Sequence, residues 1–142
     1  MLQPEPPAPA VIVHGTMDVD RACLPGLPVT LLSAPGAAIF AGPGWWLSLI
    51  RDARARHGAQ IAADILDCAD AAGLALAALR LGQMSLILDP ACPAFPSVAG
   101  AAATLGATVQ TSRPPALDLA ARNADRRLES WLAQRDSAPP LR

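Results

Sequence analysis

Apolar positions along the chain fall into short runs that alternate with helical patterns. Val11-Ile12-Val13, Val29 to Leu32, Ile61 to Leu66, Ser85 to Leu88 and Thr108 to Thr111 are short, aliphatic and largely uncharged, which predicts buried strands. Between them, residues 16–24, 44–57, 71–81 and 95–105 carry apolar side chains at helical spacing. In 44–57, Trp46, Leu49, Ile50 and Ala53 share one face, while Arg51, Asp52 and Arg54 point away. Asp70 is placed to cap the helix over 71–81, and Gly82 and Gly106 stand where two helices should stop. After Pro114-Pro115, Leu117, Ala121, Ala124, Leu128 and Trp131 recur at spacings of four and three, which predicts one long amphipathic helix over 116–134. Leu119 falls off that stripe and is expected at the surface.

Strands that are apolar throughout, alternating with helices, predict an α/β fold: one open parallel sheet of four to five strands with helices on both faces. This is the three-layer sandwich of doubly wound, Rossmann-like or flavodoxin-like domains. At 142 residues and 14.6 kDa, the chain is one domain's worth. The expected organisation is a proline-rich disordered arm over 1–10, a single domain over 11–135, and a frayed tail over 136–142. From Ala22 to Ile50 no residue is charged, but Pro25, Pro28, Pro35 and Pro43 interrupt the stretch. A membrane span needs about 20 continuous apolar residues, so a sheet buried on both faces is the better reading of this segment, and no membrane contact is expected. The layouts of 11–35 and 64–90 also echo one another, with His14 matching Asp67 and Ser33 matching Asp89, as any two βαβ units partly would.

Composition removes whole classes of chemistry. All 11 basic residues are Arg. Without Lys there is no Schiff base for pyridoxal phosphate and no P-loop nucleotide site. No GxGxxG follows a strand, so the NAD fingerprint is missing too, and no cofactor is predicted. The net charge is −1 with no basic stripe, which argues against nucleic acid. The start lacks the basic and apolar regions of a signal peptide. The three cysteines include no CxxC pair, so the expected compartment is the cytoplasm.

In open parallel sheets, ligands bind beyond the carboxyl ends of the strands. Those ends carry His14, Ser33, Asp67 with Cys68 and Asp70, Asp89 with Cys92, and Thr111-Ser112-Arg113. Asp67, Asp89 and Asp70 are the candidate catalytic carboxylates, as general base or as hard oxygen ligands for Mg²⁺, with Asp67 and Asp89 the metal candidates. The plainer reading gives all three to turns and caps. Cys68 as a nucleophile would need His14 as its base, because His57 lies at the far end of its helix. The loop from Ser33 to Gly44 is the longest connection at this edge, and Gly36, Gly42 and Gly44 let backbone N–H groups turn toward a carboxylate or phosphate. Trp45, at the border of its helix stripe, would line that pocket.

Two functions stay open on these grounds. The first is a non-catalytic α/β module that binds a small anionic ligand at Ser33, Gly36, Gly42, Gly44, Trp45 and His14, or else a protein partner. A homo-oligomer through Leu119 and Trp131 of the last helix belongs to that reading. The second is a small enzyme with an Asp-based site, Mg²⁺-dependent or not, at the strand ends. The absence of an acid–base or nucleophile constellation at diagnostic spacing favours the first.

Overall fold

A computed structural model describes residues 6–136. Its strands are β1 (Ala10–Ile12), β2 (Val29–Leu32), β3 (Ile61–Asp67), β4 (Ser85–Ile87), β5 (Thr108–Gln110) and β6 (Ala116–Asp118). The helices are α1 (Thr16–Cys23), α2 (Ala37–Phe40), α3 (Pro43–His57), α4 (Ala72–Arg80), α5 (Phe95–Leu105) and α6 (Ala124–Leu132). All strand pairs are parallel, in the order β5-β4-β3-β2-β1-β6. The architecture is therefore the open parallel α/β sheet with helices that the pattern predicts, with six strands rather than four to five. The expected helices on both faces are corrected, since the buried residues of all six helices share one cluster on one face. No described helix is long and apolar enough to cross a membrane.

From β1 to β5 each crossover moves one place in the same direction. Right-handed crossovers then send the intervening helices to the same side. Val11, Val13, Leu31, Leu66, Leu86 and Leu88 point to that side and share one cluster with buried residues of α1 to α6. Trp46, Leu49, Ile50 and Ala53 form the buried face of α3, as their spacing predicts. Because side chains alternate along a strand, the intervening Ala10, Leu32, Ile65 and Ile87 face the other side. They form a smaller cluster of their own, with Ile12 and Ala116 packed against it.

The sixth strand lies on the far flank of β1, across the whole sheet from β5. Five strand spacings amount to about 24 Å, while the six residue-to-residue steps from Gln110 to Ala116 reach at most about 21 Å. The connection must therefore run extended over a sheet that twists and curls to bring its edges closer. Pro114 and Pro115 suit it, since proline fixes φ and holds its predecessor extended.

This region corrects the expected helix over 116–134. Residues 116–118 pair with β1 in register, and Leu117 and Leu119 are buried at alternate positions. Asn123 takes a left-handed conformation (φ 66°), and the helix starts after it, with Ala124, Leu128 and Leu132 inward. Leu119 is 2% exposed, so it offers no surface for self-association.

The expected disordered arm is also corrected in part. Ala8 is buried, the Thr30 hydroxyl donates to its carbonyl at 2.7 Å, and the Thr30 N–H donates to the Pro9 carbonyl. Residues 1–5 and the expected tail from 137 onward lie outside the described residues.

Candidate functional site

At the carboxyl edge of the sheet the polar side chains are used mainly on one another. Asp67, at the end of β3, is 4% exposed. Its Oδ2 accepts from Arg113 Nη1 at 2.6 Å and its Oδ1 accepts from the Ala69 N–H at 2.8 Å. The second Arg113 nitrogen donates to the Ser33 carbonyl at 3.0 Å. Ser33 Oγ accepts from the Asp67 N–H at 2.9 Å and donates to the Ala34 carbonyl. One guanidinium thus ties the 111–115 connection to the ends of β2 and β3, and neutralises the one buried carboxylate of this edge.

Asp70 and Asp89 make no hydrogen bond to the Asp67 and Arg113 pair, and the three carboxylates do not group to hold a metal ion. Asp70 is exposed and does not cap α4, whose N-cap is Ala71 with no side-chain bond. Asp89 is exposed, and its Oδ1 accepts from the Ala91 N–H at 2.9 Å, an Asx turn. Among the described residues no three His, Cys, Asp or Glu side chains are grouped to hold a metal ion. Cys68 lies buried in the helix-side cluster, and burial, with the Asp67 charge, pushes its thiol up to about 12. That removes it as a nucleophile near neutral pH. Cys92 is half-buried beside the Asp89 turn.

His14 finds a partner that the sequence reading did not name. Its Nε2 lies 2.7 Å from Asp118 Oδ1, at the end of β6, and both side chains are about two-fifths exposed, at 40% and 41%. Partial burial works against the Asp118 carboxylate. The hydrogen bonds from His14 and the Ala120 N–H, with the charges of His14 and Arg113, outweigh it and hold the carboxyl below its ordinary range. The signal for Asp118 was present in Ala-Leu-Asp-Leu after two prolines, an alternation of period two.

The glycine-rich loop folds over β3 and α4. Gly36 is left-handed (φ 68°), with Ala69 Cβ 3.9 Å from where its own Cβ would stand. Gly42 (φ 90°) sits at the N-cap of α3, where no side chain caps the first turn. Gly44 is exposed, and Trp45, 36% exposed, tilts against the buried Trp46 at 5.9 Å between ring centroids. Trp46 donates at 3.1 Å to Asp64 Oδ2, which also accepts from Gln83, while Arg54 donates to Asp64 Oδ1 at 2.8 Å. Asp64 is the second residue that sequence reading missed, and its signal was a charge inside an apolar strand, where a carboxylate needs partners.

Two openings of similar volume lie elsewhere. One, of about 400 Å³, is lined by Ile50, Arg54, Asp64 and Gln83, with charged side chains in its wall. The other, with no charged lining residue among those described, is on the face opposite the helix-side cluster. A cavity of about 390 Å³ has Ala10, Thr30 and Ile65 along its strands and walls from Pro6, Pro7, Pro9, Pro114 and Pro115. Ala8, Gln110, Trp131 and Gln134 complete it. Trp131 reaches it from α6 and donates its indole N–H to the Ala10 carbonyl at 2.8 Å. Spacing alone places Trp131 on an interface stripe and composition alone makes the proline-rich start a disordered arm, so no local pattern brings the two walls together. No protein-family model matches the chain, and no curated protein matches its sequence.

Proposed function

We propose that the chain is a non-catalytic α/β binding module whose ligand seat is the proline- and tryptophan-walled groove on the second face of the sheet. The observation that carries this reading is the groove itself. Its volume of about 390 Å³ falls in the range of small-molecule sites, which are mostly apolar with a few placed polar groups. The strand-end carboxylates support it from the other direction. Asp67 spends both oxygens inside the protein and Asp89 holds a turn, while Asp70 stands apart in solvent. An edge carrying Asp67, Asp89 and Asp118, with Arg113 already paired, is also a poor seat for the anion that the sequence first suggested.

The test is fluorine NMR of the protein labelled with 5-fluorotryptophan and titrated with 2-naphthol as a neutral apolar probe. The Trp131 resonance, identified by its loss in Trp131→Phe, should shift saturably while that of Trp46 stays in place. A folded protein whose Trp131 signal never moves overturns the reading.

One observation favours the enzyme reading in a changed form. The strand order reverses at β1, and ligands of open α/β sheets favour such switch points. The two strands flanking that point lead into His14 and end in Asp118, whose pairing would orient the imidazole as a general base. Saturable hydrolysis of 4-nitrophenyl acetate, abolished in His14→Gln, would support it. Absence of saturable turnover in the wild type would end it.

A further inference from the structure

The walls of the groove are unusual in what they lack. Proline has no N–H, and five of the lining residues are prolines. The side-chain donors that do reach the groove are largely committed. The Trp131 N–H is spent on the Ala10 carbonyl and the Thr30 hydroxyl proton on the Ala8 carbonyl. Gln110 commits one amide N–H to Ser85 Oγ at 3.2 Å and keeps its carbonyl oxygen as an acceptor, while Gln134 brings its amide from the exposed rim. Thr30 Oγ1, having donated, retains only acceptor capacity. No charged side chain lines the groove among the described residues.

We infer that the groove selects a neutral, apolar ligand that presents a hydrogen-bond donor, a phenol-like hydroxyl or an N–H, and rejects carboxylates of the same shape. This deepens the binding reading above and rests on it. Gln110, at the end of β5, is the specificity-determining acceptor, and the proline and tryptophan surfaces supply apolar contact. A carboxylate entering the groove would lose its water and meet no cation, only the neutral amide N–H groups of the exposed Gln134 and the second N–H of Gln110, and such a loss is costly. A donor would replace its bond to water with a bond to Gln110, while an ether of the same size would leave that acceptor unmet.

Three probes of one shape separate these outcomes when each is titrated against the Trp131 fluorine signal at neutral pH: 2-naphthol, 2-methoxynaphthalene and 2-naphthoate. The expected order is naphthol tightest, the ether weaker by about fivefold, the worth of one net hydrogen bond, and the carboxylate weaker than naphthol by more than about tenfold. Gln110→Met, on an edge strand and half-buried, should bring naphthol down to the affinity of the ether and leave the ether unchanged. Carboxylate binding equal to or tighter than naphthol overturns the inference, as does equal binding of naphthol and ether. If none of the three moves the Trp131 signal, the groove reading itself falls, an outcome distinct from a wrong order among probes that do bind.

Discussion

Ile65 and Leu66 are neighbours on one strand and live in different surroundings. Leu66 is fully buried in the cluster to which α1 to α6 all contribute. Ile65, 6% exposed, sits in the small cluster of Ala10, Leu32 and Ile87, at the border of a cavity. The difference follows from topology. Four crossovers in one direction deliver helices to one side, where long apolar stripes interdigitate with the sheet. The other side is closed by what remains: a five-residue extended connection, four residues ahead of β1, and one tryptophan at the edge. Prolines in extended backbone cover a surface without filling it, and a space of about 390 Å³ is left. The groove is therefore a consequence of strand order, and the two faces differ in kind, one packed by helices and the other left partly open.

Truncation tests that division most directly. Trp46→Ala should cost about 3–5 kcal/mol, because it empties a fully buried site and leaves Asp64 without one of its donors. Leu66→Ala should follow at about 2–5 kcal/mol. Ile65→Ala should fall at or below the low end, about 2 kcal/mol, since its removal extends a space that already exists. Urea denaturation of the three variants checks the order, and an Ile65→Ala cost equal to that of Leu66→Ala would erase the distinction between the faces.

Next in size is the clamp that holds the connection down. Arg113→Met strands the buried Asp67 carboxylate, and losing one partner of such a pair costs about 3 kcal/mol or somewhat less here, since the guanidinium is 25% exposed. Asp67→Asn, which keeps acceptors and leaves no buried charge, should cost less. Both are read by denaturation together with 2-naphthol binding. Arg113→Met should weaken the probe, because Pro114 and Pro115 are walls of the groove. Arg54→Gln, which breaks the Asp64 pair on the helix side, should destabilise without touching it. Equal loss of binding in both would mean that the probe reports stability alone.

The helix side was the more legible of the two. The α3 stripe appears intact in the sequence, because a helix that packs on a sheet must repeat its apolar positions with its own period. The second face carries no such period. Ala10, Thr30 and Ile65 come from three strands and Pro114 from a connection, so their meeting depends on strand order, which no local pattern encodes. The same dependence hid the site partners. Asp67 was found as a strand-end carboxylate, but its partner Arg113 arrives through a crossing of the sheet. His14 was found, while Asp118 was concealed by a helical reading of 116–134. There the spacing of Leu117, Ala121, Ala124 and Leu128 imitated a heptad, although Pro114-Pro115 and the alternation of Leu117 with Leu119 pointed to a strand.

The smallest effect concerns that last pair and has a definite sign. Asp118 has a carboxyl held below its ordinary range in the folded state. It therefore adds stability at pH values above the unfolded value, near 3.9. That stability is lost as pH falls through the lower folded value. The side chain is 41% exposed, so solvent screening keeps the contribution below about 1 kcal/mol. Asp118→Asn should lower stability slightly at neutral pH and close the gap to the wild type between about pH 5 and pH 3. Urea denaturation across that range checks it. A gap that persists in acid would mean that Asp118 acts through its turn bond to the Ala120 N–H rather than through charge, and the β1–β6 edge would then be held by backbone pairing, like every other edge of the second face.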